Sequence, residues 1–168
     1  APVTCLALSP DSNYLVTGSR DTTVLLWKIH KASSLTSSTV DQATNSNTPT
    51  SGSNSLTEKN RQPRIEGPIH VLRGHRREIL CCSVSSDLGI VVSCSESSDL
   101  LVHSIRRGRL IRRLVGVEAH AVCLSPEGII LVWNKIERNL STFSVNGVSI
   151  AKANLPLSGD VSCIEVSA

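Results

Sequence analysis

The chain has 168 residues, 40% of them hydrophobic, and carries 17 basic against 14 acidic side chains. That length suits one ordinary domain, no run approaches the ~20 uninterrupted apolar residues of a membrane-spanning helix, and no basic-then-apolar leader opens the chain. Methionine is absent, even at position 1, so a piece of a longer polypeptide is expected, and the few aromatics (Trp27, Trp133, Tyr14, Phe143) leave a core to be built from Val, Leu, Ile, Ala and Cys.

The first predicted strand lies in Val3-Thr4-Cys5-Leu6-Ala7-Leu8-Ser9-Pro10-Asp11. The same pattern returns as Ile79-Leu80-Cys81-Cys82-Ser83-Val84-Ser85-Ser86-Asp87. A looser copy follows at Ala119-His120-Ala121-Val122-Cys123-Leu124-Ser125-Pro126-Glu127, and Val161-Ser162-Cys163-Ile164-Glu165-Val166-Ser167 begins a fourth. Downstream, Leu25-Leu26-Trp27 corresponds to Leu101-Val102-His103 and then to Ser141-Thr142-Phe143. The repeat is therefore about 40 residues, a period that calls for stacked supersecondary units. Units are set at 1–73, 74–115 and 116–157, with a further start at 158–168.

Each unit reads as four short strands bounded by turn residues. In the second they are expected near 78–84, 89–94, 99–105 and 109–114. Gly89-Ile90-Val91-Val92 is apolar on both faces, as a strand between two neighbouring sheets must be. No helical periodicity is sustained. The first unit is lengthened by an insertion, 31–64. Within it, from Ser33 to Thr57, 17 of 25 residues are Ser, Thr or Asn. Such a segment buries too little apolar surface to offset its ordering entropy and is expected to be a disordered loop between the third and fourth strands. Thr48-Pro49 within it is a candidate phosphorylation site.

Charge is concentrated in the second unit. From His70 to Val115, Arg73, Arg76, Arg77, Arg106, Arg107, Arg109, Arg112 and Arg113 face only four acids, Glu78, Asp87, Glu96 and Asp99. An anionic partner would have to be met there. The six cysteines form no Cys-x-x-Cys pair, and Cys81 and Cys82 point to opposite faces of one strand. Cys5, Cys81, Cys94, Cys123 and Cys163 stand in apolar runs and are expected as buried, reduced thiols, which fits a reducing, cytoplasmic setting. The five histidines lack metal-ligand spacing. Phosphate loops and nucleophile elbows are missing. Catalytic residues, cofactors and metal are accordingly expected to be none.

With Ser9-Pro10-Asp11, Thr17-Gly18-Ser19-Arg20-Asp21, Leu25-Leu26-Trp27 and Leu72-Arg73-Gly74-His75, the chain resembles WD-repeat β-propellers. At a finer level it resembles the C-terminal propeller of BEACH–WD proteins, the neurobeachin and LYST-like scaffolds, and in particular their plant SPIRRIG-type members. Val71-Leu72-Arg73-Gly74-His75-Arg76-Arg77-Glu78, Ser95-Glu96-Ser97-Ser98-Asp99 and His103-Ser104-Ile105-Arg106-Arg107-Gly108-Arg109-Leu110-Ile111-Arg112-Arg113-Leu114 carry that likeness together with the opening strand. It implies an all-β partial propeller of about three four-stranded blades plus the first strand of another. It also implies a scaffold for protein partners in vesicle and endomembrane trafficking, with a BEACH domain upstream in the same protein.

The resemblance further implies a structural hydrogen-bond network, Thr17, Asp21 and Trp27 in the first blade and His75 and Ser93 in the second. There His103 replaces the aromatic and Ser97 the turn Asp. In the third blade Val117 stands at the His place and Glu137 at the turn acid, and Trp133 aligns with Thr17 and Ser93 rather than with the motif Trp. Blade geometry places Arg76 and Arg77 at one end of the second blade and Arg106 and Arg107 at the other. Arg109, Arg112 and Arg113 then run along the outer strand between them. Such a stripe, with Arg73, suits an extended anion: an acidic partner, an anionic membrane surface with its phosphoinositides, or an RNA backbone. No aromatics stand beside it to stack bases, which counts against nucleic acid. Outer strands also carry charge simply to block edge-to-edge pairing.

Overall fold

The computed structural model describes residues 1–31, 63–96, 99–156, 161 and 163–166. Strands β1 (Val3–Leu8), β2 (Tyr14–Ser19), β3 (Val24–His30) and β4 (Arg64–Leu72) form the first sheet. Strands β5 (Ile79–Ser85), β6 (Ile90–Ser95), β7 (Asp99–Ser104) and β8 (Leu110–Val115) form the second. The third holds β9 (Ala121–Leu124), β10 (Ile129–Asn134), β11 (Asn139–Ser144) and β12 (Ser149–Asn154). Every pairing is antiparallel between consecutive strands, and no helix occurs among the described residues. The all-β expectation of repeated four-stranded sheets holds. Most of the Ser/Thr/Asn-rich insertion, Thr48-Pro49 included, lies outside the described residues. Of the expected opening strand of a fourth sheet only 161 and 163–166 are described, and they form no strand.

The sheets stack because none can cover its own faces. β5, the inner strand of the second sheet, contacts β1 on one side and β9 on the other. Two cores result. Val16, Val24, Leu26 and Leu72 of the first sheet meet Ile79, Cys82, Val84, Val91 and Ile105 of the second. On the far side Cys81, Ile90, Val92, Cys94, Leu100, Val102 and Leu114 meet Val122, Leu124, Ile130 and Val132 of the third. β6 supplies both cores from alternate positions and is buried along its whole length, as an apolar strand between two sheets requires. Each fully buried aliphatic side chain contributes roughly 1.5–3 kcal/mol, so the two seams, rather than the exposed outer strands, hold the assembly together.

Register corrects one expectation. Cys82 pairs with Ser93, and its counterpart Val122 pairs with Val132. Val132, not Trp133, therefore occupies the place of Thr17 and Ser93, and Trp133 stands where Gly18 and Cys94 do. The cause is a turn one residue shorter: Val84 pairs with Val91, whereas Leu124 pairs with Ile130. A one-residue slip moves a side chain to the opposite face of its sheet.

The cysteines also depart from expectation. Cys81, Cys82 and Cys94 are buried, but Cys5 and Cys123 are partly exposed and Cys163 is exposed. The inner strands β1, β5 and β9, joined by residues 163–166, surround a cavity of about 550 Å3, and Cys5, Cys81, Cys82, Cys123 and Cys163 all border it. Cys5, Cys123 and Cys163 thus stand at the edge of this space rather than inside a closed core, while Cys81 and Cys82 are buried as expected.

Candidate functional site

Of the polar groups singled out in the sequence, His75 and Ser93 lie on the side of the second sheet that faces the first, whereas Thr17 and Trp27 lie on the outward face of the first sheet. In the first sheet, Trp27 Nε1 on β3 donates to Thr17 Oγ1 on β2 at 3.1 Å. Asp21 does not join them. Its carboxylate accepts from the backbone N–H of Thr23 at 3.0 Å and from Thr23 Oγ1 at 2.5 Å, closing its own turn. Those two hydrogen bonds hold the exposed Asp21 carboxyl below its ordinary value.

His75, in the loop between β4 and β5, reaches back across the second sheet. Its Nε2 is 2.8 Å from Ser93 Oγ and its Nδ1 is 2.9 Å from Ser95 Oγ, both on β6. A neutral imidazole has one donor and one acceptor nitrogen, and a hydroxyl can complement either. Ser95 thus takes the contact expected of a turn acid, for which the sequence offered Ser97, a position outside the described residues. Alternation was the available signal: Ser95 is two residues beyond Ser93 and shares its face. Burial, reinforced by nearby His103, pushes the His75 pKa down to about 4. His103, standing where Trp27 stands in the first sheet, donates from Nε2 to the carbonyl of Arg73 at 3.0 Å. Its Nδ1 is buried with no hydrogen-bond partner among the described residues.

In the third sheet Val117, Val132 and Phe143 occupy the His, Ser and Trp places, and they face the second sheet's core. Glu137 lies farther out, accepting from Asn139 Nδ2 at 2.6 Å and Lys152 Nζ at 2.7 Å. These contacts hold its carboxyl below the ordinary range, Lys152 first. An apolar trio has replaced the polar chain.

The arginines do not form one continuous stripe. On β8, Leu114 belongs to the core shared with the third sheet, so Arg112 leans to that side, where its Cδ passes beside Gly147. Arg113 points the other way, with Nη2 donating to the carbonyl of Gly74 at 3.0 Å and Nε 3.5 Å from Asp99 Oδ2. Arg113 is therefore a strut for the loop that carries His75. Arg73, Arg76, Arg77, Arg106, Arg107 and Arg109 are exposed. Arg106 borders a second cavity of about 550 Å3 between the first two sheets, with Lys28, His70 and Tyr14 around it and Glu66 as the opposing acid. That basic recess joins residues from five separate stretches and was not visible in the sequence.

No group of three or more His, Cys, Asp or Glu side chains is arranged to hold a metal ion among the described residues. Among the described residues no helix is long and apolar enough to cross a membrane.

Comparison with known proteins follows the same line. Residues 2–168 match the family described as the neurobeachin beta propeller domain. The BEACH domain-containing protein B of Arabidopsis thaliana is 33% identical over 98% of this chain, and a putative neurobeachin homolog of Caenorhabditis briggsae is 29% identical over 98%. The chain spans about 6% of the length of either relative. Among solved structures, the WD40 beta propeller domain of Doa1 superposes with a TM-score of 0.57 at 20% identity, covering 93% of this chain and 42% of that one. This last likeness is one of fold.

Proposed function

The chain belongs to the neurobeachin β-propeller family, and from that premise we propose that it serves as a non-catalytic protein-interaction scaffold, part of a BEACH-type protein that works in vesicle and endomembrane trafficking from the cytoplasmic side. The observation that carries this reading is the family match over residues 2–168. The geometry supports it, because two buried histidines of the second sheet are engaged in holding it together: His75 by two serine hydroxyls, His103 by a backbone carbonyl. Both ring nitrogens of His75 are taken up in this way, and a buried group so satisfied specifies a fold rather than serving proton transfer. Removing residues 1–168 from the full-length protein tests the proposal. The expected result is loss of most partners recovered by affinity capture. An unchanged partner set and unchanged organelle association would overturn it.

A second reading, direct contact with an anionic membrane surface, is favoured by the basic recess of Lys28, His70 and Arg106 and by exposed Arg107 and Arg109 beyond it. Full-length protein with Arg106, Arg107 and Arg109 changed to Ser distinguishes the two. Membrane contact predicts that flotation with phosphoinositide-containing vesicles is lost in the variant and falls steeply with salt in the parent. Pure scaffolding predicts equal flotation of both and an intact partner set.

A further inference from the structure

The inner strand of the second sheet sends its adjacent cysteines to opposite seams. Cys81 lies with its cross-strand neighbour Cys94 in the core shared with the third sheet. Cys82 turns to the first sheet, where its sulfur is 3.5 Å from Cys5 Sγ of β1, 77 residues away in sequence. This approach is built by the surroundings. Gly18, the pairing partner of Cys5 on β2, carries no side chain, and a Cβ there would lie 2.6 Å from Cys5 Sγ and 2.5 Å from Ile79 Cγ2. Beside it, Thr4 Oγ1 donates to the carbonyl of Ile79 at 2.6 Å, fixing β1 against β5 next to the two sulfurs. Both Cys5 and Cys82 border the central cavity, whereas Cys94 is fully buried and does not.

We propose that Cys5 and Cys82 form a reversible disulfide that clamps the first sheet to the second, made when a small hydroperoxide such as hydrogen peroxide enters the central cavity. The thiolate is the reactive form of cysteine. The hydrogen bond with Cys82 holds the Cys5 thiol below its ordinary value, while the same contact and burial push that of Cys82 up, so Cys5 is the attacking sulfur. Its thiolate attacks one peroxide oxygen, the O–O bond breaks, and Cys5 becomes a sulfenic acid as hydroxide leaves. Cys82 sulfur then attacks Cys5 sulfur, the S–S bond forms, the S–O bond breaks, and the Cys82 proton leaves with the departing hydroxide as water. Two thiols lose two electrons, one peroxide gains them, and two waters result. The sulfurs must close from 3.5 Å to a bond of about 2.0 Å, a short movement for two side-chain ends at a seam. Disulfides of this kind in reducing compartments are transient, and a thiol reductant reverses them.

The test uses the full-length protein. It is treated with stoichiometric hydrogen peroxide, its remaining thiols are alkylated, and it is digested with trypsin without reductant. The expected product joins the peptide ending at Arg20 to the peptide spanning 78–106, disappears with dithiothreitol, and exceeds any other cysteine pairing several-fold. Fragment-ion sequencing of that product assigns the bond to Cys82 without any variant. The same assignment follows if Cys82→Ser abolishes the link and Cys81→Ser keeps it. Cys5 recovered as a free thiol or a sulfinic acid, or linked to Cys81 or Cys94 instead, would overturn the proposal.

Discussion

Gly18 lies where β2 passes beneath Cys5 and Ile79, and a methyl group at that position would meet Ile79 Cγ2 at 2.5 Å and Cys5 Sγ at 2.6 Å. Gly18→Ala therefore overfills the seam between the first two sheets. The expected cost is about 1–3 kcal/mol, read as a lower melting temperature. Truncation at His75 acts differently, since His75→Ala takes the imidazole away from the fully buried Ser93 hydroxyl, at about 1–3 kcal/mol. The imidazole also makes stability depend on pH. Its folded pKa, about 4, lies below the unfolded value near 6.5, so between these the unfolded chain binds more protons. The stabilisation is whole above pH ~6.5 and is lost as pH falls through about 4, by up to roughly 3 kcal/mol. Melting curves collected from pH 7 to pH 4 should show this decline, and the His75→Ala variant should show it flattened. Parallel pH profiles for parent and variant would remove His75 from the account.

At the level of strands, the third sheet shows how one position is solved in two chemistries. The first two sheets place Thr17 or Ser93 beneath a polar or aromatic partner, whereas the third places Val132 beside Val117 and Phe143. Val132→Ser would put a hydroxyl among apolar side chains with nothing to bond. We expect a loss of about 1–3 kcal/mol in chemical denaturation, larger than for Val132→Ala with its smaller polar penalty. Equal losses in the two variants would show that a partner for the hydroxyl exists. Period and strand order were legible in the sequence, because each sheet repeats the same run of inner strand, Ser-rich turn and buried second strand. The face on which Trp133 lies was not. β10 is apolar on both sides, so its alternation does not fix its own register, and the shorter turn before Ile129 shifted it by one residue. The arginines of β8 misled for a related reason. Adjacent in sequence, Arg112 and Arg113 leave the strand in opposite directions, and Arg113 is taken up by Gly74 and Asp99. The Cys5–Cys82 contact had no local signal at all, since it joins strands of different sheets across 77 residues.

Across the whole molecule, two of the six broad sheet faces meet a neighbour at each seam, and the outward face of the first sheet meets none among the described residues. Its cross-strand rows run Leu6, Thr17, Leu25, Val71 and Leu8, Leu15, Trp27. Leu6 is 69% exposed, Leu8 52% and Val71 41%, forming an apolar surface larger than scattered single residues would make. On the opposite face of the same sheet, Val16, Val24 and Leu26 are fully buried against the second sheet. The same strands thus display what a stacked sheet looks like with and without a neighbour. An apolar sheet face left to water associates with others of its kind, and the 168-residue chain studied by itself should show a sedimentation mass that rises with concentration. Replacing Leu6 and Leu8 together by Asp should bring that mass down to one chain, because charge on the face opposes association. The melting temperature should stay nearly unchanged, since neither side chain enters a seam. A parent chain already monomeric over the same concentrations would refute the argument, as would a paired variant that unfolds: the first would mean this face needs no cover, the second that Leu6 and Leu8 help hold the first sheet itself together.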